Sequence, residues 1–167
     1  YLAFVDALTR LDDKMNDEDR NNIRLILSEF SASKNPAITD LCLTNLQDSV
    51  YMQYWGETCR IMVFDYSGFK YPADKDVMIL YIEAWNKMKY GEVKDMLIKN
   101  LKFPDYDIAK ASADALKNLT GKDYEKEITA AKYRTDFDWD FIDRLSEKKF
   151  ATIYTNRGNI KIEFYTS

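Results

Sequence analysis

Asn35-Pro36-Ala37-Ile38-Thr39-Asp40-Leu41-Cys42-Leu43-Thr44-Asn45-Leu46 has an echo 55 residues further along, in Tyr90-Gly91-Glu92-Val93-Lys94-Asp95-Met96-Leu97-Ile98-Lys99-Asn100-Leu101. Asp40/Asp95, Asn45/Asn100 and Leu46/Leu101 coincide, and Ile38/Val93, Leu41/Met96, Cys42/Leu97 and Leu43/Ile98 stay apolar. A second echo, offset by 31 residues, sets Asp76-Val77 through Met88 against Asp107-Ile108 through Leu119. Its apolar matches, Val77/Ile108, Ala84/Ala115, Trp85/Leu116 and Met88/Leu119, recur at the spacing of one helical stripe. A helix pair of this size cannot bury its own apolar stripe, so self-similar pairs are expected to stack and share one core.

Outward from these echoes the chain divides into short helical stretches. Asp17 to Ser31 opens with acids that suit the positive end of a helix dipole. Lys34-Asn35-Pro36 breaks that helix, and Pro36 suits the first turn of the next, which runs to Leu46. Val50 to Phe64 reads as a further helix. Tyr66-Ser67-Gly68-Phe69-Lys70-Tyr71-Pro72 then stands where its partner should lie, so one repeat is expected to be degenerate. Asp74 to Lys89, Glu92 to Lys102 and Tyr106 to Leu119 follow, divided by Gly91 and Pro104-Asp105. Gly121 is a helix stop, and Asp123 to Tyr133 reads as a last helix.

At the other end, Tyr1 to Leu11 also reads as helix, before a turn at Asp12-Asp13-Lys14-Met15-Asn16. Tyr1 lies inside this pattern with no initiator Met, so the natural N-terminus and any targeting signal are expected to lie upstream. The series of helices resembles repeats of the HEAT type. The resemblance implies an all-α fold, a HEAT-like α-solenoid of stacked helix pairs over 1–134, with a C-terminal β-hairpin.

Composition agrees with a helical reading and removes several functions. Apolar residues make up 46% and charged residues 31% of the 167, enough to build a core. Only 5 Gly and 3 Pro punctuate the chain, which disfavours an all-β sandwich. A net charge of −4 supplies no basic field for phosphate backbones, so nucleic acid is not an expected partner. No apolar run reaches the roughly 18 residues of a membrane span. Histidine is absent, which removes His-based triads and most zinc sites, and no nucleophile elbow or Gly-rich phosphate loop occurs. No catalytic residue and no cofactor is expected in this chain. Cys42 and Cys59 read as small core residues, with a disulfide left open should the protein be exported.

After Arg134 the helical period fades through a connector at 135–149. Phe150 to Thr155 and Ile160 to Tyr165 then alternate as strands around Asn156-Arg157-Gly158-Asn159, a hairpin at 150–167. Two strands alone are marginal in water, so the hairpin is expected either to pack on the helices or to join a sheet continuing past Ser167. The segment Ala151-Thr152-Ile153-Tyr154-Thr155-Asn156-Arg157-Gly158-Asn159-Ile160-Lys161-Ile162-Glu163-Phe164-Tyr165 resembles the opening strands of bacterial cyclophilin-type peptidyl-prolyl isomerases. HEAT-repeat regions attached to such domains are a known bacterial arrangement, and Thr120-Gly121-Lys122-Asp123-Tyr124 looks like the ending of that type of region. The resemblance implies a repeat scaffold preceding an isomerase, a bacterial envelope or periplasmic setting, and catalytic residues beyond Ser167. The alternative is a purely structural repeat protein whose hairpin caps the array.

Four constellations remain. Asp136-Phe137-Asp138-Trp139-Asp140 with Glu147 follows the carboxylate spacing of a calcium loop, but Phe141 stands where such a loop turns on Gly. An extended connector with Phe137, Trp139 and Phe141 inward is the favoured reading, with no metal. Tyr51, Tyr54 and Trp55 are the candidate protein-binding surface for a protein or peptide client, against core packing as the alternative. Asn45 and Asn100 are expected to bond to free carbonyls or to a neighbouring unit. Lys94, Lys99 and Lys102 read as a solvated helix face.

Overall fold

The computed structural model describes residues 15–130, 148–155 and 158–165, and the chain divides into two units, Tyr1–Ala131 and Lys132–Ser167. The first unit contains α1 (Asp17–Ser31), α2 (Pro36–Leu46), α3 (Trp55–Ser67), α4 (Lys75–Lys87), α5 (Lys94–Asn100) and α6 (Tyr106–Thr120). Short 3-10 turns at Ser49–Tyr54, Gly91–Val93 and Glu125–Glu127 join or follow them. None of the described helices is long and apolar enough to cross a membrane.

Local chemistry sets the helix starts. Asn16 caps α1 by accepting from the Asp19 amide at 2.9 Å, ahead of the acids Asp17, Glu18 and Asp19. Asn35 accepts from the amides of Ala37 and Ile38 at 3.1 and 3.3 Å, with Pro36 in the first turn of α2. Asp105 caps α6 in the same way through Asp107 and Ile108. Gly121 ends α6 at φ 75°, a left-handed conformation that a Cβ makes costly.

Helix α4 is central. It packs on α2 and on α6 and also touches α3, while α1 lies on α2 and α3, and α5 lies on α6. Its sequence fits that position, because Val77, Met78, Tyr81, Ile82, Ala84 and Trp85 are all buried, so apolar positions cover more than one stripe. Leu27, Leu43, Leu46, Met62, Leu97 and Leu116 join them in one contiguous core. On α6 the buried residues Ala109, Ser112, Ala113 and Ala115 are small, which lets its backbone come close to its neighbours.

Three expectations for this unit change. The Val50 to Phe64 stretch starts as a 3-10 turn, with Asp48 accepting from the Val50 amide, and its helix runs on to Ser67. The Tyr66 to Pro72 stretch is therefore the end of α3 and a loop leading to α4, which touches α3 only lightly. Beyond Gly121, among the described residues, only the turn at Glu125–Glu127 forms in place of the expected helix. Tyr124 is buried and the Thr129 amide bonds to the Leu101 carbonyl at 3.2 Å, holding an irregular segment against the end of α5. The expected N-terminal helix lies outside the described residues.

The second unit contributes an antiparallel hairpin of β1 (Lys148–Thr155) and β2 (Gly158–Tyr165). Its register opposes Ala151 to Ile162 and Ile153 to Ile160, and in the alternate phase Thr152 to Lys161. Alternation along each strand puts the isoleucines on one face and Thr152, Lys161 and Glu163 on the other. Ile153, Ile160 and Ile162 are exposed. The strands start two residues earlier than the alternation in the sequence suggests. The last two residues of the expected connector, Lys148 and Lys149, belong to β1, and the rest of it, with the carboxylate run from Asp136 to Glu147, lies outside the described residues.

Candidate functional site

The N-terminal ends of α2, α4 and α6 lie along one edge of the helical unit, and charged side chains tie them together. Asp74, at the head of α4, accepts from the Lys70 amide at 2.8 Å and from Lys34 Nζ at 3.1 Å, reaching back to the residue before the α2 cap. Further along the same edge, Lys75 Nζ lies 2.9 Å from Asp105 and 2.6 Å from Asp107, at the head of α6. The Tyr71 hydroxyl also donates to Asp105. At the far ends of the same two helices the tie is an amide pair, in which Asn118 Nδ2 donates to Asn86 Oδ1 at 3.0 Å, so α4 and α6 run side by side in the same direction.

These contacts set the charge states. The Lys70 backbone N–H, together with Lys34, holds the Asp74 carboxyl below its ordinary range. Burial works against ionisation of Asp105, but the Lys75 ammonium and the amides of Ile108 and Asp107 outweigh it and hold this carboxyl low as well. Lys75 is raised in turn by its bonds to Asp107 and Asp105.

Behind this edge, α2 and α4 meet over a buried polar link. Thr39 Oγ1 donates to the Ser31 carbonyl at 2.7 Å, and the Ser31 hydroxyl lies 3.1 Å from the Tyr81 hydroxyl. In front of it the two helices leave an open groove of about 430 Å³ lined by Pro36, Ala37, Asp40, Asp76, Ile79 and Leu80. On each helix the lining residues sit at i and i+4 spacing, one face of the first turns. Its floor is aliphatic and each helix contributes one exposed carboxylate. Among the described residues neither Asp40 nor Asp76 has an ion-pair partner.

The aromatic trio singled out by sequence sits elsewhere and faces inward. Tyr51 is 5% exposed and belongs to the core. Tyr54 is half-buried under the Arg24 guanidinium, 5.1 Å from its ring centre, and Trp55 donates from Nε1 to the Leu46 carbonyl at 3.0 Å. Arg24 itself is buried, held by Asn21, Thr58 and Glu57. Tyr51 is thus in the core, while Tyr54 and Trp55 are half-buried against it, so the three do not form one exposed patch.

Asn45 donates to the Leu41 carbonyl at 2.7 Å, one turn back in its own helix and not to a free end or a neighbour, while Asn100 donates to the Tyr66 hydroxyl of α3 at 2.9 Å. Lys94, Lys99 and Lys102 are exposed. Cys42 and Cys59 are free and buried, and burial pushes their thiols up to about 11 and about 12, the second with help from Glu92. Such thiols are poor nucleophiles at neutral pH. Among the described residues no group of three or more Cys, Asp or Glu side chains is placed to hold a metal ion.

The groove and the charged edge escape a reading of the sequence, although a signal exists. Asp74 and Asp105 share the 31-residue offset of the Val77/Ile108 stripe. No family model, curated protein or solved structure matches this chain.

Proposed function

We propose that this chain is a protein-binding helical-repeat scaffold: a HEAT-like stack of three helix pairs, α1/α2, α3/α4 and α5/α6, that holds a polypeptide client. The observation that carries the reading is the parallel succession of α2, α4 and α6, with their heads tied by Lys34–Asp74 and Lys75–Asp105. Stacked parallel helices leave open grooves between their outward faces, and the groove between α2 and α4 is one. The chemistry present favours binding over catalysis, since the buried thiols and tyrosines are held protonated by burial and no histidine is available.

Within the same proposal, the hairpin is the opening strand pair of a cyclophilin-type isomerase fold in the parent protein, and the repeats place a client for it. Support comes from the apolar face formed by Ile153, Ile160 and Ile162, which a third strand or a packed layer would cover.

The test is lysine crosslinking of the intact chain to reduced, carboxymethylated α-lactalbumin as an unfolded client, with the linked peptides mapped by mass spectrometry. Links to the α2–α6 stretch are expected, and a chain that forms none loses the scaffold reading. A prolyl-peptide isomerisation assay on these 167 residues is expected to stay at the background rate. Acceleration there would place catalysis inside the chain and overturn the division of roles.

A further inference from the structure

We infer that the groove between the first turns of α2 and α4 receives a short extended peptide whose apolar side chain is flanked by lysine or arginine. This rests on the scaffold reading and narrows it to one surface and one ligand chemistry.

The floor of Ala37, Ile79 and Leu80 is aliphatic, so an aliphatic side chain buried there gains from leaving water while a polar one does not. At about 430 Å³ the groove is of a size to take side chains and not a folded domain. The charges decide the flanks. Asp40 and Asp76 stand on opposite walls, one on each helix, and both are exposed. The lysines nearest to them along the chain do not neutralise them. Lys34 is bonded to Asp74, and Lys75 to Asp105 and Asp107. The ladder that ties the helix heads together thus engages Lys34 and Lys75 and leaves the groove's own carboxylates facing solvent. A ligand with a cation on either side of its apolar residue pairs with both walls, and an acidic ligand is repelled by both. Another recess, lined by Arg60, Val63, Tyr90 and Glu92, is smaller at about 150 Å³, and Tyr90 already donates to Glu92 at 2.7 Å.

The experiment is amide chemical-shift titration of the full chain with three blocked pentapeptides, Gly-Lys-Leu-Lys-Gly, Gly-Glu-Leu-Glu-Gly and Gly-Lys-Ser-Lys-Gly. Saturable shifts at Ala37, Asp40, Ile79 and Leu80 are expected with the first peptide alone, fading as salt is raised. Reversing both walls with Asp40→Lys and Asp76→Lys is expected to weaken that binding roughly tenfold, since each exposed pair contributes modestly. Ala37→Trp, at an exposed position lining the groove, provides a second variant expected to abolish it with the helical circular dichroism unchanged. Equal binding of the glutamate peptide, or undiminished binding by the charge-reversed chain, overturns the inference. Shifts confined to other residues, alongside successful crosslinking to the unfolded client, remove this groove and leave the scaffold. Failure of both peptide binding and crosslinking removes the two together.

Discussion

Where α4 meets α6, Lys75 fits between Asp105 and Asp107 and the Asn86–Asn118 pair ties the far ends. Where α2 meets α4, Lys34 reaches Asp74 from a side chain that is 48% exposed, and beside that contact lies the open groove. The same device, a lysine at the head of one helix on an acid at the head of the next, therefore serves two seams of different character. Both acids are buried, and what differs is the cover of the lysine: Lys75 is 26% exposed and bonds an Asp105 that also caps its helix, while Asp74 bonds a loop amide and the more solvated Lys34. Removing one partner of such a contact costs more the deeper the charge left behind is buried, and the less covered seam is the one left with space for a ligand.

Four measurements sharpen or break that comparison. The largest effect is expected at the helix both seams share. Trp85 is fully buried between Tyr66 and Tyr81, and Trp85→Ala should cost about 3–5 kcal/mol in urea unfolding. Its Nε1 has no hydrogen-bond partner among the described residues. Trp85→Phe removes that unpaired donor and should cost much less, about 1 kcal/mol, because the lost packing is offset by relief of a buried unsatisfied N–H. Equal losses for the two variants would mean that the indole nitrogen is satisfied in solution.

Next comes the closed seam. Asp105→Ala removes a helix cap and leaves Lys75 with one acid fewer, and a loss of about 2–4 kcal/mol is expected. Asp74→Ala at the open seam should lower the urea midpoint by less. The opposite order would overturn the burial argument.

Acid sensitivity separates the seams further. Both carboxyls are held below their ordinary range when folded, so the stabilisation they give is present above the unfolded value of about pH 4 and disappears as pH falls through the folded value. Asp105→Asn keeps a capping side chain but no charge, and the acid limb of the stability curve should flatten. An unchanged limb would show that other groups govern acid unfolding. Asp65 works in the opposite sense, because burial raises its carboxyl.

The smallest effect is expected from Lys34→Met. With a half-exposed lysine screened by water, loss of the Lys34–Asp74 pair should lower the thermal midpoint by less than any of the other variants, and the difference should shrink further in high salt. A drop as large as that of Asp105→Ala would place this seam in the same class as the other.

Much of the helical unit is legible in the sequence because its signals are local. The bounds of α1 and α2, the place of Pro36 in the first turn of α2 and the stop at Gly121 follow from residues within one turn of the feature they set. The 31-residue echo joins α4 to α6, which pack on each other in parallel. The 55-residue echo joins α2 to α5, and these have different principal neighbours, α1 and α4 for one and α6 for the other. Apolar spacing identifies a buried face without saying against what it is buried, so a chance match of two such faces looks like a repeat. The helix expected from Asp123 fails for a similar reason: burial of Tyr124 and the Thr129–Leu101 bond are contacts with distant chain that outweigh a weak local preference.

The candidate surface shows the same division. Tyr51, Tyr54 and Trp55 are conspicuous in the sequence, yet Tyr51 is buried and Tyr54 and Trp55 are half-buried against the core. Asp40 and Asp76 are unremarkable in the sequence and become a pair of walls only because α2 and α4 lie side by side. The amino-acid sequence alone determined that the chain builds short capped helices followed by a hairpin, since periodicity, caps and turn residues act over a few positions. Which helices are neighbours, which aromatics are covered and where an acid-walled groove opens were decided by the tertiary structure, because each depends on side chains far apart in the chain meeting in space.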